Sequence, residues 1–170
     1  MIAFVILHYR AADMTRKCVE RIKALEGDKK IVIVDNASPN GTGQELLDEY
    51  TEDSEIKVIL NPENSGFAKG NNMGVCWVQK NVPADFVVVL NNDVEILQKD
   101  FCPKVEAIYR RHSFDVLGPD IISVFSGIHQ NPKSLHGYSL ESVRKKREKV
   151  ARTKNPILLL LSSGEKNSPA

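Results

Sequence analysis

Two aspartates in this chain of 170 residues stand directly after strongly apolar runs, where a carboxylate can be aimed into a cleft. Asp35 follows Ile31 to Val34 and opens the turn Asn36-Ala37-Ser38-Pro39-Asn40-Gly41. A carboxylate there either accepts hydrogen bonds from a nucleobase or ribose, or closes an Asx turn or helix cap. Asp93 ends Asn91-Asn92-Asp93, just beyond the run Phe86 to Leu90. Magnesium or manganese prefers oxygen ligands and commonly bridges a carboxylate and phosphates, so Asp93 is a candidate metal ligand; the alternative is a plain polar turn. Tyr9, at the end of the first apolar run, offers a flat face for stacking on a base or for packing.

The third candidate is the run from Asn64 to Gly74, with Gly66, Gly70 and Gly74 among Asn64, Lys69, Asn71 and Asn72. It reads as a glycine-rich turn opening a helix over 70–79, which suits close approach of backbone N–H groups to an anion. Its order is neither that of a P-loop nor that of a dinucleotide-binding fingerprint, so a nucleotide triphosphatase and a dehydrogenase are both unsupported. Lys69 either meets a phosphate or is an ordinary exposed lysine.

The elements that must position these residues follow from periodicity. Residues 2–7, 31–34, 56–60 and 86–90 are short, β-branched apolar runs of the kind found in buried strands. Between them lie helical patterns over 14–25, 44–50 and 70–79, with a further helix over 101–112. Alternating strand and helix predict an α/β fold: a doubly wound, mostly parallel sheet with helices on both faces. In such a sheet ligands bind beyond the carboxyl ends of the strands, where the polar candidates gather. Past residue 112 the pattern weakens to a strand signal over 116–122, a turn-rich stretch over 126–137, and a basic helix over about 139–152 that includes Arg144, Lys145 and Arg147. This divides the chain into an α/β domain, 1–135, and a basic helix with a polar tail, 136–170.

Bulk properties exclude more than they assign. A net charge of +1 gives no electrostatic footprint for nucleic acid. Cys18, Cys76 and Cys102 are odd in number and widely spaced, which suggests neither a disulfide framework nor a zinc site and fits a reducing cytoplasm. No signal peptide is expected from an N-terminus that opens directly on an apolar run, and the sequons at Asn36 and Asn40 read as turn sequence. The basic segment is expected to be a solvated helix face. The alternative is a patch for an acidic partner or for the inner face of the membrane, giving peripheral association. Exposed sheet edges would invite a homo-oligomer.

Together, Ile33 to Ser38 with Gly41-Thr42, Asn61 to Gly74, Val89 to Asp93 and Gly118-Pro119-Asp120-Ile121 resemble the family 2 glycosyltransferases, with the glycosyltransferase A-type nucleotide-diphospho-sugar transferase fold, and especially their bacterial rhamnosyltransferase-like branch. The resemblance covers about residues 2–133. It implies inverting transfer from a nucleoside-diphosphate sugar to a hydroxyl of a saccharide or lipid-linked saccharide, in bacterial surface polysaccharide synthesis. By position it implies Tyr9 near the base, Asp35 on the base with Asn36 and Ser38 in its turn, and Asn64, Gly66, Lys69, Gly70 and Asn71 flanking the nucleotide. Asn91, Asn92 and Asp93 stand in place of Asp-x-Asp, with Asp93 holding magnesium or manganese; Asn91 removes one of the two charges. Family members usually supply the general base from a later Glu-Asp segment, and none of Glu141, Glu148 and Glu165 fits that role. The expectation is therefore a donor half lacking its base, with a noncatalytic nucleotide-sugar-binding or partner-binding module as the alternative. A phosphoacceptor receiver domain is a third reading, disfavoured because His8-Tyr9-Arg10 supplies no acidic pair after the first strand.

Overall fold

The β-branched runs become four parallel strands in the computed structural model, which describes residues 1–131 and Lys145. They are β1 (Ile2–His8), β2 (Lys29–Asp35), β3 (Ile56–Leu60) and β4 (Phe86–Asn91), in the order β3-β2-β1-β4. β1 is the centre: it pairs in parallel with β2, His8 opposite Asp35, and with β4, Leu7 opposite Asn91. Helices α1 (Ala12–Lys23), α2 (Thr42–Glu49), α3 (Gly66–Asn81) and α4 (Phe101–His112) complete this unit. The fold is the expected doubly wound α/β arrangement.

Side chains alternate across a strand, so β1 serves two cores at once. Ile2, Phe4 and Ile6 pack with Val19 and Ile22 of α1, Leu46 of α2 and Val105 of α4. Ala3 and Val5 face the other way and pack with Val78 of α3, together with Val32 and Val34. Chain direction explains the split. From β1 to β3 the chain steps one way across the sheet, and from β3 to β4 it steps back past β1. Right-handed crossovers therefore place α1 and α2 on one face and α3 on the other. The reversal lies between β1 and β4, the switch point at which doubly wound sheets open a crevice for ligands.

α3 departs from the sequence reading. It begins at Gly66 rather than at Gly70, so most of the supposed loop is its first two turns. Low helix propensity argued for a loop, but close packing overrides it. A Cβ on Gly70 would come within 2.6 Å of Leu7, and one on Gly74 within 3.0 Å of Val34, so these glycines let the helix lie on the sheet. Gly66 enters the helix at φ +80°, a left-handed conformation that favours glycine.

The described residues fall into two compact units divided after Phe114. In the second, the expected strand over 116–122 contracts to β5 (Ile121–Ile122), paired antiparallel with β6 (His129–Asn131). Lys145 is helical and exposed. The rest of the expected basic helix and tail, with the expected domain boundary at 135/136, lies outside the described residues.

Candidate active site at the strand ends

At the carboxyl ends of β1 and β2, strand parity sends neighbouring polar residues to opposite faces. His8 and Asp35 point to the α1/α2 side. Asn36, one residue later, belongs to the α3 side.

Asp35 is 5% exposed. Its carboxylate closes a turn: the Ser38 N–H donates to both oxygens at 3.2 Å, and the Ser38 hydroxyl donates to Oδ1 at 2.5 Å. Asp35 thus closes its own turn, with the partner three residues on rather than the two of an Asx turn. Ser38 also accepts from the Arg10 N–H at 2.8 Å, and Asn40 Nδ2 donates to the Arg10 carbonyl at 2.9 Å. The β1–α1 and β2–α2 loops are thereby locked together. Both carry a strained residue, Arg10 at φ 67° and Ala37 at φ 58°, as is common in binding loops. Tyr9 is 40% exposed, and the Arg10 guanidinium lies 4.9 Å from its ring centroid, covering one face.

His8 is fully buried, and sequence reasoning gave it no role. Nδ1 lies 2.7 Å from Thr15 Oγ1 and Nε2 2.9 Å from Thr42 Oγ1, with Asp35 Oδ1 3.9 Å from Nε2. Burial pushes its pKa below the ordinary 6.5, against the opposing pull of Asp35. A neutral imidazole carries one N–H. The assignment that pairs every atom has Nε2–H donating to Thr42, whose hydroxyl goes to Asn40 Oδ1 at 2.8 Å, and the Thr15 hydroxyl donating to Nδ1. A polar residue closing a wholly apolar run was the available signal: buried, it must find partners.

At the end of β4, Asn91 and Asp93 are exposed and Asn92 is half-buried. The turn is tied to α1. Asn92 Nδ2 donates to Thr15 Oγ1 at 3.1 Å and to the Ala11 carbonyl at 3.4 Å, while Glu95 pairs with Lys17 at 2.6 Å and Arg21 at 3.2 Å. Asp93 thus presents a carboxylate from a held loop. Among the described residues no group of three or more His, Cys, Asp or Glu comes together to hold a metal. Asp93 stands as one carboxylate, which suffices where phosphates and water complete the shell. Nearby Cys18 is no nucleophile: burial, helped by the charges of Asp93 and Glu95, pushes its thiol up to about 12.

The α3-side candidates are brought together, but mostly with one another. Asn36, 4% exposed, donates from Nδ2 to Asn64 Oδ1 at 2.9 Å. Its Oδ1 accepts from Asn61 Nδ2 at 3.0 Å and from the Ser65 N–H at 3.2 Å. The Gly66 N–H donates to Asn64 Oδ1 at 3.1 Å. Asn36 and Asn64 therefore build the start of α3. Gly70 and Asn71, which the resemblance sets beside the nucleotide, are buried in that helix, where Asn71 Nδ2 donates to the Phe67 carbonyl at 3.0 Å. Asn71 Oδ1 is the buried side-chain atom left without a partner among the described residues. Gly66 and Lys69, in the first turn, are exposed.

The chain is similar to known proteins. The low-salt glycan biosynthesis hexosyltransferase Agl10 of Haloferax volcanii is 25% identical over 122 residues, 72% of this chain and 37% of its own. The crystal structure of S. aureus TarS 1-349 in complex with UDP superposes with a TM-score of 0.55 at 19% identity, over 66% of this chain and 32% of that one; at this identity the likeness speaks for the fold. The chain thus spans about a third of the length of both relatives. The profile of glycosyl transferase family 2 matches residues 3–163, nearly the whole sequence, and the chain belongs to that family.

Proposed function

We propose that this chain binds the donor of a glycosyltransferase, a nucleoside-diphosphate sugar, at the carboxyl ends of β1, β2 and β4. The observation that carries the reading is the placement of Tyr9, the Asp35–Ser38 turn and the exposed Asp93 carboxylate around the switch point of one parallel sheet. Tyr9 and the Asp35–Ser38 turn form the base side. Asp93 forms the diphosphate side. The UDP in the TarS complex supports a nucleoside diphosphate as the ligand class.

In inverting transfer an acceptor hydroxyl attacks the anomeric carbon while a nucleoside diphosphate leaves, and a carboxylate takes the hydroxyl proton. Asp93 would hold magnesium or manganese, which neutralises charge on the departing diphosphate. The buried Asp35 keeps the base-side turn in one conformation. Transfer to a saccharide or lipid-linked saccharide of a bacterial surface polysaccharide, as in the rhamnosyltransferase-like branch, is the assignment we favour for the whole enzyme.

A thermal-shift titration with UDP, dTDP and GDP, with and without manganese, tests this. One nucleotide with manganese should stabilise the chain by about 2.7 kcal/mol at roughly one hundred times its Kd, and Asp93→Ala should abolish the gain. No stabilisation by any of the three would refute the reading.

A further inference from the structure

Thr15 and His8 are both fully buried, so neither can touch a ligand, yet they stand between the two sides of the site. From Asn92 Nδ2 the path runs 3.1 Å to Thr15 Oγ1, 2.7 Å on to His8 Nδ1, and 2.9 Å from Nε2 to Thr42 Oγ1. It continues 2.8 Å to Asn40 Oδ1, and from Asn40 Nδ2 2.9 Å to the Arg10 carbonyl. The Arg10 N–H then reaches Ser38 Oγ at 2.8 Å, and Ser38 reaches Asp35. Every link is a hydrogen bond, and the ends are the neighbour of Asp93 and the base-side carboxylate.

The other ties on the Asn91–Glu95 turn are weaker, the bond from Asn92 Nδ2 to the Ala11 carbonyl being 3.4 Å long. Lys17 and Arg21 are about half exposed, and such ion pairs contribute little in water. The Cys18 thiol lies 4.0 Å from the Asn91 carbonyl, a poor bond. Thr15 is the buried anchor. Its hydroxyl has one proton and two lone pairs: Asn92 donates to it, and in the pairing given above its proton goes to His8 at 2.7 Å rather than to the Ala11 carbonyl at 3.2 Å. Valine has the same shape with no hydroxyl, and would leave Asn92 and His8 facing a methyl group.

We propose that Thr15 and His8 are positioning residues that fix the turn carrying Asp93 relative to the Asp35–Ser38 turn, and so set the span of nucleoside diphosphate the site accepts. This rests on the donor-binding reading above. Buried networks of this kind lose more than one bond's worth of order when a central member is removed.

The test uses Thr15→Val and Thr15→Ser in the full chain, with two readouts. Calorimetric titration with UDP, dTDP and GDP in manganese should show affinity for the nucleotide that the wild type prefers weakened about tenfold in Thr15→Val, the scale of one buried hydrogen bond. Thr15→Ser, which keeps the hydroxyl, should stay within about twofold. In ¹⁵N-asparagine spectra the Asn92 side-chain amide, assigned by its loss in Asn92→Ala, should shift in Thr15→Val and return in Thr15→Ser. A Thr15→Val chain with wild-type affinity or an unmoved Asn92 amide overturns the proposal while leaving donor binding intact. A wild type that binds no nucleotide overturns both. Should Thr15→Val fail to fold, Asn92→Ala cuts the same link from the half-buried end, and unchanged affinity there is equally fatal.

Discussion

Replacing Gly43 by alanine should damage the base-side turn without removing any polar group. Gly43 is buried in the first turn of α2, and an added Cβ would overlap Asp35 Oδ2 and Cγ and lie 3.0 Å from Asp35 Cβ. The carboxylate cannot yield slightly, because a strand holds its Cα and Ser38 holds its oxygens through three contacts. It must swing out. Hydrogen bonds to charged groups contribute about 1.5–3 kcal/mol each, and resolvation of the half-buried Ser38 returns part, leaving a loss of about 2–4 kcal/mol. Alanine's better helix propensity offsets about 0.5–1 kcal/mol. The net expectation is a destabilisation of about 1–3 kcal/mol, read as a urea midpoint lowered by roughly 1 M by circular dichroism. The decisive control is the same substitution in an Asp35→Ala background. With the carboxylate gone, Gly43→Ala should become neutral or slightly stabilising, giving a coupling of about 2 kcal/mol or more. An unchanged penalty in the double variant would show that the clash lies elsewhere and that Asp35 does not occupy the space above Gly43.

Two further outcomes are expected. Asn36→Ala removes the acceptor of the Asn61 amide and the Ser65 N–H, so it should cost about 2–4 kcal/mol and speed amide exchange selectively over residues 65–69, the start of α3; uniform exchange would contradict a local role. The folded-state pKa of His8 is depressed, so the unfolded chain binds its proton more readily. Its contribution to stability is therefore present above the unfolded value of 6.5 and lost as pH falls below that, toward the folded pKa. Denaturation midpoints measured from pH 7.5 to 5 should fall more steeply for the wild type than for His8→Gln, and parallel slopes would exclude the assignment.

The four strands, the alternation with helices and the location of the polar residues beyond the strand ends were legible in the sequence. Four continuous apolar runs separated by helical spacing leave few alternatives to a parallel sheet covered on both faces. That same uniformity hid the interior of the site. When both faces of a strand are buried, its apolar run carries no mark of which face is which. Nothing in Asp35-Asn36 therefore told that the first side chain would meet Ser38 and the second Asn61 and Asn64 on opposite sides of the sheet. The start of α3 was misplaced because glycine and asparagine are poor helix formers alone, whereas here Gly70 and Gly74 are what allow the helix to rest on β1 and β2. Asn92 lies far in sequence from His8 and Thr15, and the three became one hydrogen-bonded path only when α1 packed over the sheet beside the end of β4. Local pattern determined the elements and the chemical types at their ends; three-dimensional packing alone decided which polar groups are spent on one another and which, like the carboxylate of Asp93, stay open to a ligand.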